Sequence, residues 1–502
     1  MPSPGPAFGA IDFGASTGRV LSGRVADGRV ELKELARFAN RPLQLPNGLH
    51  WNLMSLFECA VDALAAAPGG QLRGVGVDTW GVDYGLLDGR GRLLGLPFHY
   101  RDGRTSPDVV ERTFARASRE EQYAATGIQT MPINTVFQLV AEDSSTALRE
   151  AERIALVPDL LAYWLSGELA NEATNASTTG LLDARTGAWA HGLIEQLGLP
   201  SKLFGELVEP GTVLGPALAH HGLGPVPVTA VASHDTASAF VAAPIRDEHS
   251  AILSSGTWSL LGLELPAPVL TDAARDANLT NERGVAGTTR LLKNVMGLWL
   301  EQECARTWGV GHAELFAEAE ADALHRSLDE VALFDPDGEA YLAPGDMPAR
   351  IETACVASGQ VRDGRRMGRG EIVRSILVSL ACKYRYVLER LEAASGRDVR
   401  RIHTIGGGAR VTPLCRLTAD LTGREVLAGP VEATALGNVL IQALAAGELS
   451  SLADVRAVAA ASADCVTYAP SSDREAADRT YARFLEITRL TVPNPTPEPS
   501  WT

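Results

Sequence analysis

Short apolar runs that end in small or polar residues recur along this chain, a pattern typical of buried strands in an α/β fold. The most informative run covers residues 226–232, contains no charged residue and leads into the polar segment 233–236. A run of small apolar residues, 237–243, follows directly. The pattern predicts a buried strand, a turn and a closely packed helix. It therefore places the polar segment at the carboxyl end of a strand, where open α/β sheets bind ligands.

The same polar segment also has a purely structural interpretation. Asp235 could cap the helix that follows, with Ser233 or Thr236 assisting. The segment alone does not decide between a cap and a ligand site, so the remaining patterns matter.

The opening of the chain predicts an antiparallel meander. Apolar stretches at 7–13, 20–25 and 30–38 indicate strands, and Asp27 and Gly28 separate the last two. Asp-Gly between apolar runs is a strong hairpin signal.

The first turn of this meander carries chemistry suited to phosphate. Backbone N–H groups of the small-residue turn at 14–18 can bind an anion, and the hydroxyls of Ser16 and Thr17 can add donors. Arg19 can neutralise the charge of a transferring phosphate, and Asp12 can hold Mg²⁺ through water. A Walker lysine and a G-x-G-x-x-G fingerprint are both absent from the turn. A plain hairpin with a small-residue turn is the alternative.

A second polar cluster follows the predicted strand 73–77. It contains Asp78, Trp80, Gly81 and Asp83. Carboxylates accept hydrogen bonds from sugar hydroxyls and an indole can cover a sugar's apolar face, so the cluster suits a carbohydrate. The alternative is a tryptophan in the core beside turn acids. Further along, we expect a second meander running to Tyr100.

The pattern restarts near residue 245. Residues 251–263 again predict strand, small-hydroxyl turn and strand, in the layout of the chain's opening. This duplicated hairpin suggests two lobes of related fold. Asn294 and Gln302 are eight positions apart, so a helix there would carry both amides on one side.

The C-terminal part predicts a long amphipathic helix at 371–394 and then a glycine-rich connection. The strand 401–405 is followed by Gly406, Gly407 and Gly408 and by a helix at 412–422. Strand, glycine cluster and helix form a common approach for a phosphate or an adenine, because glycine lets the backbone come close. A glycine-rich connector without a ligand is the alternative. Within the first half of the chain, 171–180 is predicted as a polar loop.

Composition narrows the class of protein. The 502 residues, 45% hydrophobic and 21% charged, are typical of a globular protein with more than one core. The net charge of −16 argues against a general nucleic-acid or anionic-membrane surface. We find no signal-peptide pattern and no apolar run of membrane-spanning length, so we expect a cytoplasmic protein. We also expect it to be a monomer or a weak homodimer. The six cysteines have no metal-ligand spacing.

Taken together, the motifs resemble those of the FGGY carbohydrate kinases, in particular their rhamnulokinase branch. The resemblance runs from about residue 8 to about residue 485, although the literal Phe-Gly-Gly-Tyr string is absent. The segments that carry it are 11–19, 78–83, 100–102, 127–129, 233–236, 255–259, 294–299 and 406–408.

The resemblance implies an α/β fold of two duplicated ribonuclease-H-like (actin/hexokinase-like) lobes with a cleft between them. Residues 1–246 would form the N-terminal domain with the sugar side, the first phosphate hairpin and the catalytic base. Residues 247–490 would form the C-terminal domain with the ATP side, and 491–502 a Pro-rich tail.

The resemblance also implies roles for individual residues. Asp235 is similar to the family's catalytic base. The implied sugar contacts are Gly81, His234, Asp235, Thr236 and Asn294. The implied ATP contacts are Ala15, Ser16, Thr17, Gly18, Arg19, Thr257, Gln302, Gly406, Gly407 and Gly408. The implied Mg²⁺ contacts are Asp12, through water, and Asp235.

The expected activity is ATP-dependent phosphorylation of a primary hydroxyl of a ketose, with L-rhamnulose and its O1 as the first choice. Another ketose, such as L-fuculose or xylulose, is the nearest alternative. An actin-like or chaperone-like ATPase is the alternative from another class.

Overall fold

The computed structural model describes residues 7–67, 72–245, 247–362 and 364–491. The predicted Pro-rich tail, apart from its first residue, lies outside them. The described residues form two compact units. Unit 1 contains those of 1–244, 264–291 and 432–463, and unit 2 contains those of 245–263, 292–431 and 464–491.

The units are therefore interleaved along the chain, whereas the sequence analysis drew one boundary near residue 246. The physical reason is the packing of helix Ala433–Ala445 against strands of the N-terminal part.

The strands alternate with helices over most of the described chain. They are β1 (Ala7–Phe13), β2 (Thr17–Ala26), β3 (Arg29–Ala39), β4 (Leu43–Leu45), β5 (Gly48–His50), β6 (Leu72–Thr79), β7 (Tyr84–Leu87), β8 (Arg153–Leu156), β9 (Asn171–Glu172), β10 (Leu207–Val208), β11 (Thr212–Pro216), β12 (Pro227–Ala230), β13 (Ser250–Ser255), β14 (Trp258–Leu265), β15 (Thr280–Arg283), β16 (Thr289–Met296), β17 (Arg401–Ile405), β18 (Glu425–Ala428) and β19 (Val466–Tyr468).

The α-helices are α1 (Leu53–Ala65), α2 (Pro107–Arg116), α3 (Arg119–Thr126), α4 (Thr135–Ala141), α5 (Thr146–Glu150), α6 (Val157–Ser166), α7 (Ala173–Ala176), α8 (His191–Gln196), α9 (Asp235–Ala242), α10 (Asp272–Asp276), α11 (Trp299–Trp308), α12 (His312–Ala323), α13 (Met347–Ala357), α14 (Arg369–Ser395), α15 (Thr412–Thr422), α16 (Ala433–Ala445), α17 (Leu452–Ser462) and α18 (Arg474–Thr488).

Unit 1 is built on a sheet with the strand order β11-β12-β6-β1-β2-β3. Strands β1, β2 and β3 are antiparallel neighbours, as the opening pattern predicted, while β6 and β12 run parallel to β1. The β2–β3 turn has positive φ at both Asp27 (50°) and Gly28 (71°). A two-residue hairpin turn of this kind needs both residues in that region, which Asp-Gly supplies.

The sheet of unit 2 repeats this topology. Six strands, most of whose residues lie in unit 2, have the order β19-β18-β17-β13-β14-β16. Strand β13 pairs antiparallel with β14 and parallel with β17, as β1 does with β2 and β6. The parallel strand β18 and the antiparallel edge strand β19 complete the correspondence with β12 and β11. The duplicated ribonuclease-H-like fold is confirmed.

Small residues let two helices of unit 1 approach closely. Helices α9 and α16 pack together, and a Cβ on Gly437 would lie closer than 3.0 Å to the carbonyl oxygen of Ser238. This packing also holds the starts of both helices in place. Asp235 is the first residue of α9, and Glu432 directly precedes α16.

Several local predictions are wrong. Asn294 lies in strand β16, and α11 begins only at Trp299, so Asn294 and Gln302 do not share a helical face. The buried run that contains Asn294 pairs as a strand before Gly297 ends it. The second meander forms only in part. The predicted turn at 88–91 brings Leu87 and Leu93 together in an antiparallel bridge, but the strand partner of β7 is β8, from a distant part of the chain.

The predicted polar loop at 171–180 is buried instead and contains β9, α7 and a short 3₁₀ turn, Ser177–Thr179. The long helix was predicted correctly. Helix α14 ends at Gly396, whose φ of 70° stops it. Among the described residues, no helix is long and apolar enough to cross a membrane.

Candidate functional site

Acidic side chains converge where the central parallel strands of unit 1 end. Asp12 on β1 and Asp78 on β6 are direct partners in the strand register, and both are buried. Thr79 of β6 pairs with His234, which brings the segment after β12 to the same edge. The carboxyl ends of these strands therefore bring Asp12, Asp78 and Asp235 into one neighbourhood.

Asp235 is the first residue of helix α9, and its carboxylate is 30% exposed. Its Oδ1 accepts hydrogen bonds from the backbone N–H (2.5 Å) and the hydroxyl (3.1 Å) of Thr236. The Nε2 of His234 lies 3.4 Å from the same oxygen. The N-cap position belongs to His234, whose side chain makes no cap hydrogen bond. Asp235 is thus anchored through one oxygen at the start of a helix, where the helix dipole favours a negative charge.

Burial dominates the electrostatics of these acids. It raises the pKa of Asp235, an effect that His234 and Thr236 oppose. Burial also raises the pKa of Asp12, assisted by the charges of Asp235 and Glu432 and opposed by Arg19. The pKa of Asp78 lies well above its usual range because of burial and the neighbouring Asp12. An accumulation of carboxylates that disfavours its own ionisation favours a bound cation or proton.

Among the residues that the structure describes, no group of at least three His, Cys, Asp or Glu side chains is arranged to hold a metal ion directly. Mg²⁺ commonly keeps several waters and takes one or two protein carboxylates together with substrate phosphates. Asp12 and Asp235 fit that requirement.

Asp78 is fixed by unit 1 itself. Its Oδ2 accepts a hydrogen bond of 2.6 Å from the Nδ2 of Asn438, on helix α16. The Oδ1 of Asn438 in turn accepts a hydrogen bond of 2.7 Å from the Nε2 of Gln442. This buried chain ties α16 to the end of β6.

The β1–β2 turn is the segment in which the sequence predicts phosphate binding. Gly14 N–H donates to the carbonyl of Thr17 (2.9 Å), and Ser16 and Thr17 are exposed. Ala15 is half-buried, and Gly18 is buried against the ring of Phe38, which a Cβ would strike.

Asn40, which the sequence analysis missed, braces the same turn. Its Nδ2 donates to the carbonyl of Gly14 (2.9 Å) and its backbone N–H to that of Ser16 (3.0 Å). An isolated asparagine at the end of a strand carries no sequence signal for such a contact.

Arg19 bridges two acids of unit 1. Its guanidinium forms ion pairs with Asp12 and with Glu432, at the start of α16. The pKa of Arg19 is raised, because the attraction of these acids outweighs the opposing effect of burial. Arg19 therefore remains a cation at the start of β2, next to the β1–β2 turn.

The predicted ATP-side segments of unit 2 lie together. The hydroxyl of Thr257 donates to the Oε1 of Gln302 (3.2 Å), and Trp299 N–H donates to the carbonyl of Thr257 (3.0 Å). The β13–β14 turn is thereby attached to the start of α11. Asn294 is half-buried on β16.

The glycine loop after β17 packs against β13. Gly406 has a φ of 81°, and a Cβ on it would lie 3.0 Å from the carbonyl oxygen of Ser255. A Cβ on Gly408 would lie closer than 3.0 Å to the side chain of Ser255, while one on Gly407 would meet no atom within 4 Å. Gly407 is exposed. Thus two of the glycines permit close packing and the third faces outward.

The cluster around Trp80 is mainly structural. The Oδ2 of Asp83 accepts from the indole N–H groups of Trp51 (2.6 Å) and Trp80 (3.1 Å) and from the backbone of Tyr100 (3.1 Å). Its Oδ1 accepts from Gln138 (2.9 Å). The Trp51 and Trp80 rings lie 3.8 Å apart, and Trp80 is 5% exposed. The core interpretation of Trp80 and Asp83 is therefore the correct one.

Gly81 lies beside this core cluster, between β6 and β7. A Cβ on Gly81 would come within 3.0 Å of the side chain of Thr178. The next residue, Val82, has a φ of 70°, which is strained for a β-branched residue. Its N–H donates to the hydroxyl of Thr178 at 3.0 Å.

Sequence reasoning also missed Glu172, which holds the segment that leads to Asp235. Glu172 is buried, and its Oε2 accepts from the backbone N–H (3.0 Å) and the hydroxyl (2.7 Å) of Ser233. Its two oxygens also accept from the backbone N–H (2.7 Å) and the hydroxyl (2.6 Å) of Thr174. Burial raises the pKa of Glu172 in spite of these donors.

The fold is shared with solved kinase structures. The structure superposes on a gluconate kinase from Lactobacillus acidophilus with a TM-score of 0.77 at 15% identity, covering 96% of this chain and 97% of the other. It superposes on a glycerol kinase from Plasmodium falciparum, solved with ADP, with a TM-score of 0.75 at 16% identity, covering 97% and 99%. These likenesses concern the fold.

The chain belongs to the FGGY family of carbohydrate kinases. The family's N-terminal domain matches residues 8–242 and its C-terminal domain matches residues 251–446. Among curated relatives, a rhamnulokinase from Bacteroides thetaiotaomicron is 41% identical over 96% of this chain and 99% of its own length. A rhamnulokinase from Klebsiella pneumoniae is 39% identical over 95% and 96%. The predicted family is confirmed, and the protein is a carbohydrate kinase.

Proposed function

We propose that this carbohydrate kinase transfers the γ-phosphate of ATP to the 1-hydroxyl of L-rhamnulose. The observation that carries the choice of sugar is the match to two rhamnulokinases at 41% and 39% identity over nearly the whole of each chain. The cytoplasmic location and the monomeric or weakly dimeric state remain predictions from the sequence.

Asp235 is the proposed general base. Its carboxylate is partly exposed and held through Oδ1, which leaves its other oxygen to meet a substrate hydroxyl. In the proposed step Asp235 takes the hydroxyl proton, the sugar oxygen bonds to the γ-phosphorus, and the bond to the β–γ bridging oxygen breaks to release ADP. General-base catalysis of this kind contributes about 10²–10⁴-fold to the rate.

Mg²⁺ would be held by Asp12, through water, and by Asp235. When bound, it neutralises charge on the phosphates. Arg19 and the backbone N–H groups of the turn that contains Ala15, Ser16, Thr17 and Gly18 would bind the transferred phosphate. The positive charge of Arg19, already placed beside Asp12, supports this role.

The remaining proposed contacts divide between the substrates. Gly81, His234, Thr236 and Asn294 are proposed for the sugar. Thr257, Gln302, Gly406, Gly407 and Gly408 are proposed for ATP, which the exposure of Gly407 and the Thr257–Gln302 hydrogen bond support.

The test is a coupled ADP-release assay with Mg·ATP and a panel of L-rhamnulose, L-fuculose, D-xylulose, L-ribulose, glycerol and no sugar. We expect L-rhamnulose to give the largest kcat/KM and Asp235→Asn to lower kcat by about 10²–10⁴-fold. Asp108→Asn is the matched control, because Asp108 is an exposed acid in the first turn of α2 and carries the same helix-dipole interaction without lying at the acidic edge.

Each other outcome contradicts a defined part of the proposal. A larger kcat/KM for another sugar of the panel would contradict L-rhamnulose as the substrate, but it would leave the proposed phosphoryl transfer unchanged. Near-full activity of Asp235→Asn would contradict the assignment of Asp235 as the general base. ATP hydrolysis that no sugar stimulates would favour the actin-like ATPase.

A further inference from the structure

His234 lies between the proposed base and a buried ion pair. Its Nε2 is 3.4 Å from the Oδ1 of Asp235. On the other side of the ring, its Nδ1 is 3.3 Å from the Nη2 of Arg290 and 3.3 Å from the Oε2 of Glu282. Arg290 and Glu282 are themselves 3.1 Å apart. The imidazole therefore connects the carboxylate of Asp235 to a pair of opposite charges.

The identity of these neighbours decides which ring nitrogen carries the proton. A guanidinium has only N–H donors, so a hydrogen bond from Arg290 requires Nδ1 of His234 to be the acceptor. In a neutral imidazole the proton is then on Nε2, the nitrogen that faces Asp235. Glu282 favours the opposite tautomer, but its Oε2 lies nearer to Arg290 than to the ring. The heavy-atom geometry thus assigns the Nε2–H tautomer.

Arg290 is held firmly enough to impose this choice. Its side chain is completely buried, and its Nε donates to the carbonyl of Arg283 (3.0 Å). Its guanidinium carbon lies 5.7 Å from the centre of the Phe240 ring. Burial lowers the pKa of Arg290, but Glu282 opposes this, and a guanidinium keeps its proton in proteins. A rigid, buried cation is a costly group for a fold to keep without a positioning or catalytic role.

We propose that Arg290 is a positioning residue that holds His234 as the Nε2–H tautomer. His234 then donates to the Oδ1 of Asp235 and turns the second carboxylate oxygen toward the substrate hydroxyl. The role of Glu282 is to retain Arg290 in this place. The proposal rests on the proposed function of Asp235 as the base.

The first experiment measures kcat, the KM for L-rhamnulose and the KM for ATP at pH 7 for the full chain, Arg290→Met and Arg290→Lys. We expect Arg290→Met to lower kcat about tenfold, because the base is then less well oriented, with the KM for ATP unchanged. Arg290→Lys keeps a cationic donor beside Nδ1 of His234 and restores most of kcat.

Arg283→Met is the matched control. Arg283 lies on the neighbouring strand β15, its side chain pairs with Glu209, and its backbone carbonyl accepts the hydrogen bond from Arg290. Its kcat stays that of the wild type. An unchanged kcat in folded Arg290→Met, or an equal loss in Arg283→Met, would overturn the proposal.

The second experiment needs no variant of Arg290 to fold and no activity. Nitrogen-15 NMR of the full chain with labelled histidine, with His234 assigned by its loss in His234→Gln, reports the tautomer directly. We expect the neutral imidazole of His234 to be the Nε2–H tautomer, and an Nδ1–H tautomer would overturn the proposal. Absence of sugar-dependent turnover in the wild type would contradict the proposed function and leave this tautomer result intact.

Discussion

Gly408→Ala tests whether close packing of the glycine loop on β13 is required for ATP binding. A Cβ at Gly408 would lie closer than 3.0 Å to both side-chain atoms of Ser255 and 3.0 Å from its carbonyl oxygen. Ser255 is 2% exposed, so it has little room to move away. The loop or the end of β13 must therefore shift.

Overpacking of this kind costs about 1–3 kcal/mol. If the shift falls on the ATP-bound conformation, the Kd for ATP rises by about 5–150-fold, since 1.4 kcal/mol corresponds to a factor of ten. If it falls on the folded state, Tm drops by about 2–4 °C per kcal/mol for a unit of about 150–250 residues. The KM for the sugar stays within about twofold, because Gly408 is a proposed contact of ATP and not of the sugar.

The assay is ATP binding by calorimetry together with thermal unfolding of the same samples. Gly311→Ala is the matched control, because a Cβ there meets no atom within 4 Å, its φ is −79°, and Gly311 is not a proposed contact of either substrate. Ser255→Gly, which removes the two clashing atoms, should restore ATP affinity in the Gly408→Ala background. Wild-type affinity and Tm in Gly408→Ala, or an equal loss in Gly311→Ala, would refute this packing argument.

Two buried acids give further predictions. Glu172→Gln places an amide N–H₂ against the donors of Ser233 and Thr174, so we expect kcat to fall about tenfold with the KM for ATP unchanged. Steady-state kinetics measures this change, with Glu168→Gln as the control at an exposed site. Equal kcat values for the two variants would contradict the prediction. Asp83→Ala leaves buried N–H donors without an acceptor and lowers the free energy of unfolding by about 2–4 kcal/mol. Burial raises the pKa of Asp83 to about 6, so its ionisation disfavours the fold and the wild type loses stability as pH rises from about 4 through 6. Denaturant unfolding should therefore show a larger loss for Asp83→Ala at pH 4 than at pH 8, and the reverse order would refute the assignment.

The sequence by itself determined the repeated architecture and most of the elements that carry the site. Strand β17 and helix α15 begin and end at the predicted residues, and the Asp27-Gly28 turn forms where it was expected. These features depend on neighbours within a few positions, through side-chain periodicity and turn conformation. The acid at the start of α9 was visible for the same reason.

Tertiary structure alone decided which polar groups meet. Glu172 and Ser233 are 61 positions apart, and Arg290 and His234 are 56 apart, so no local spacing encodes either contact. A charged residue such as Arg290 within an apolar strand signals a buried partner, but it does not say which one. Likewise, Asp83 accepts hydrogen bonds in the core from the stacked Trp51 and Trp80 indoles, although its sequence context also suited a sugar. Local sequence pattern determines which helix, strand or turn a side chain lies on. Long-range packing determines its hydrogen-bond partners and therefore its chemistry.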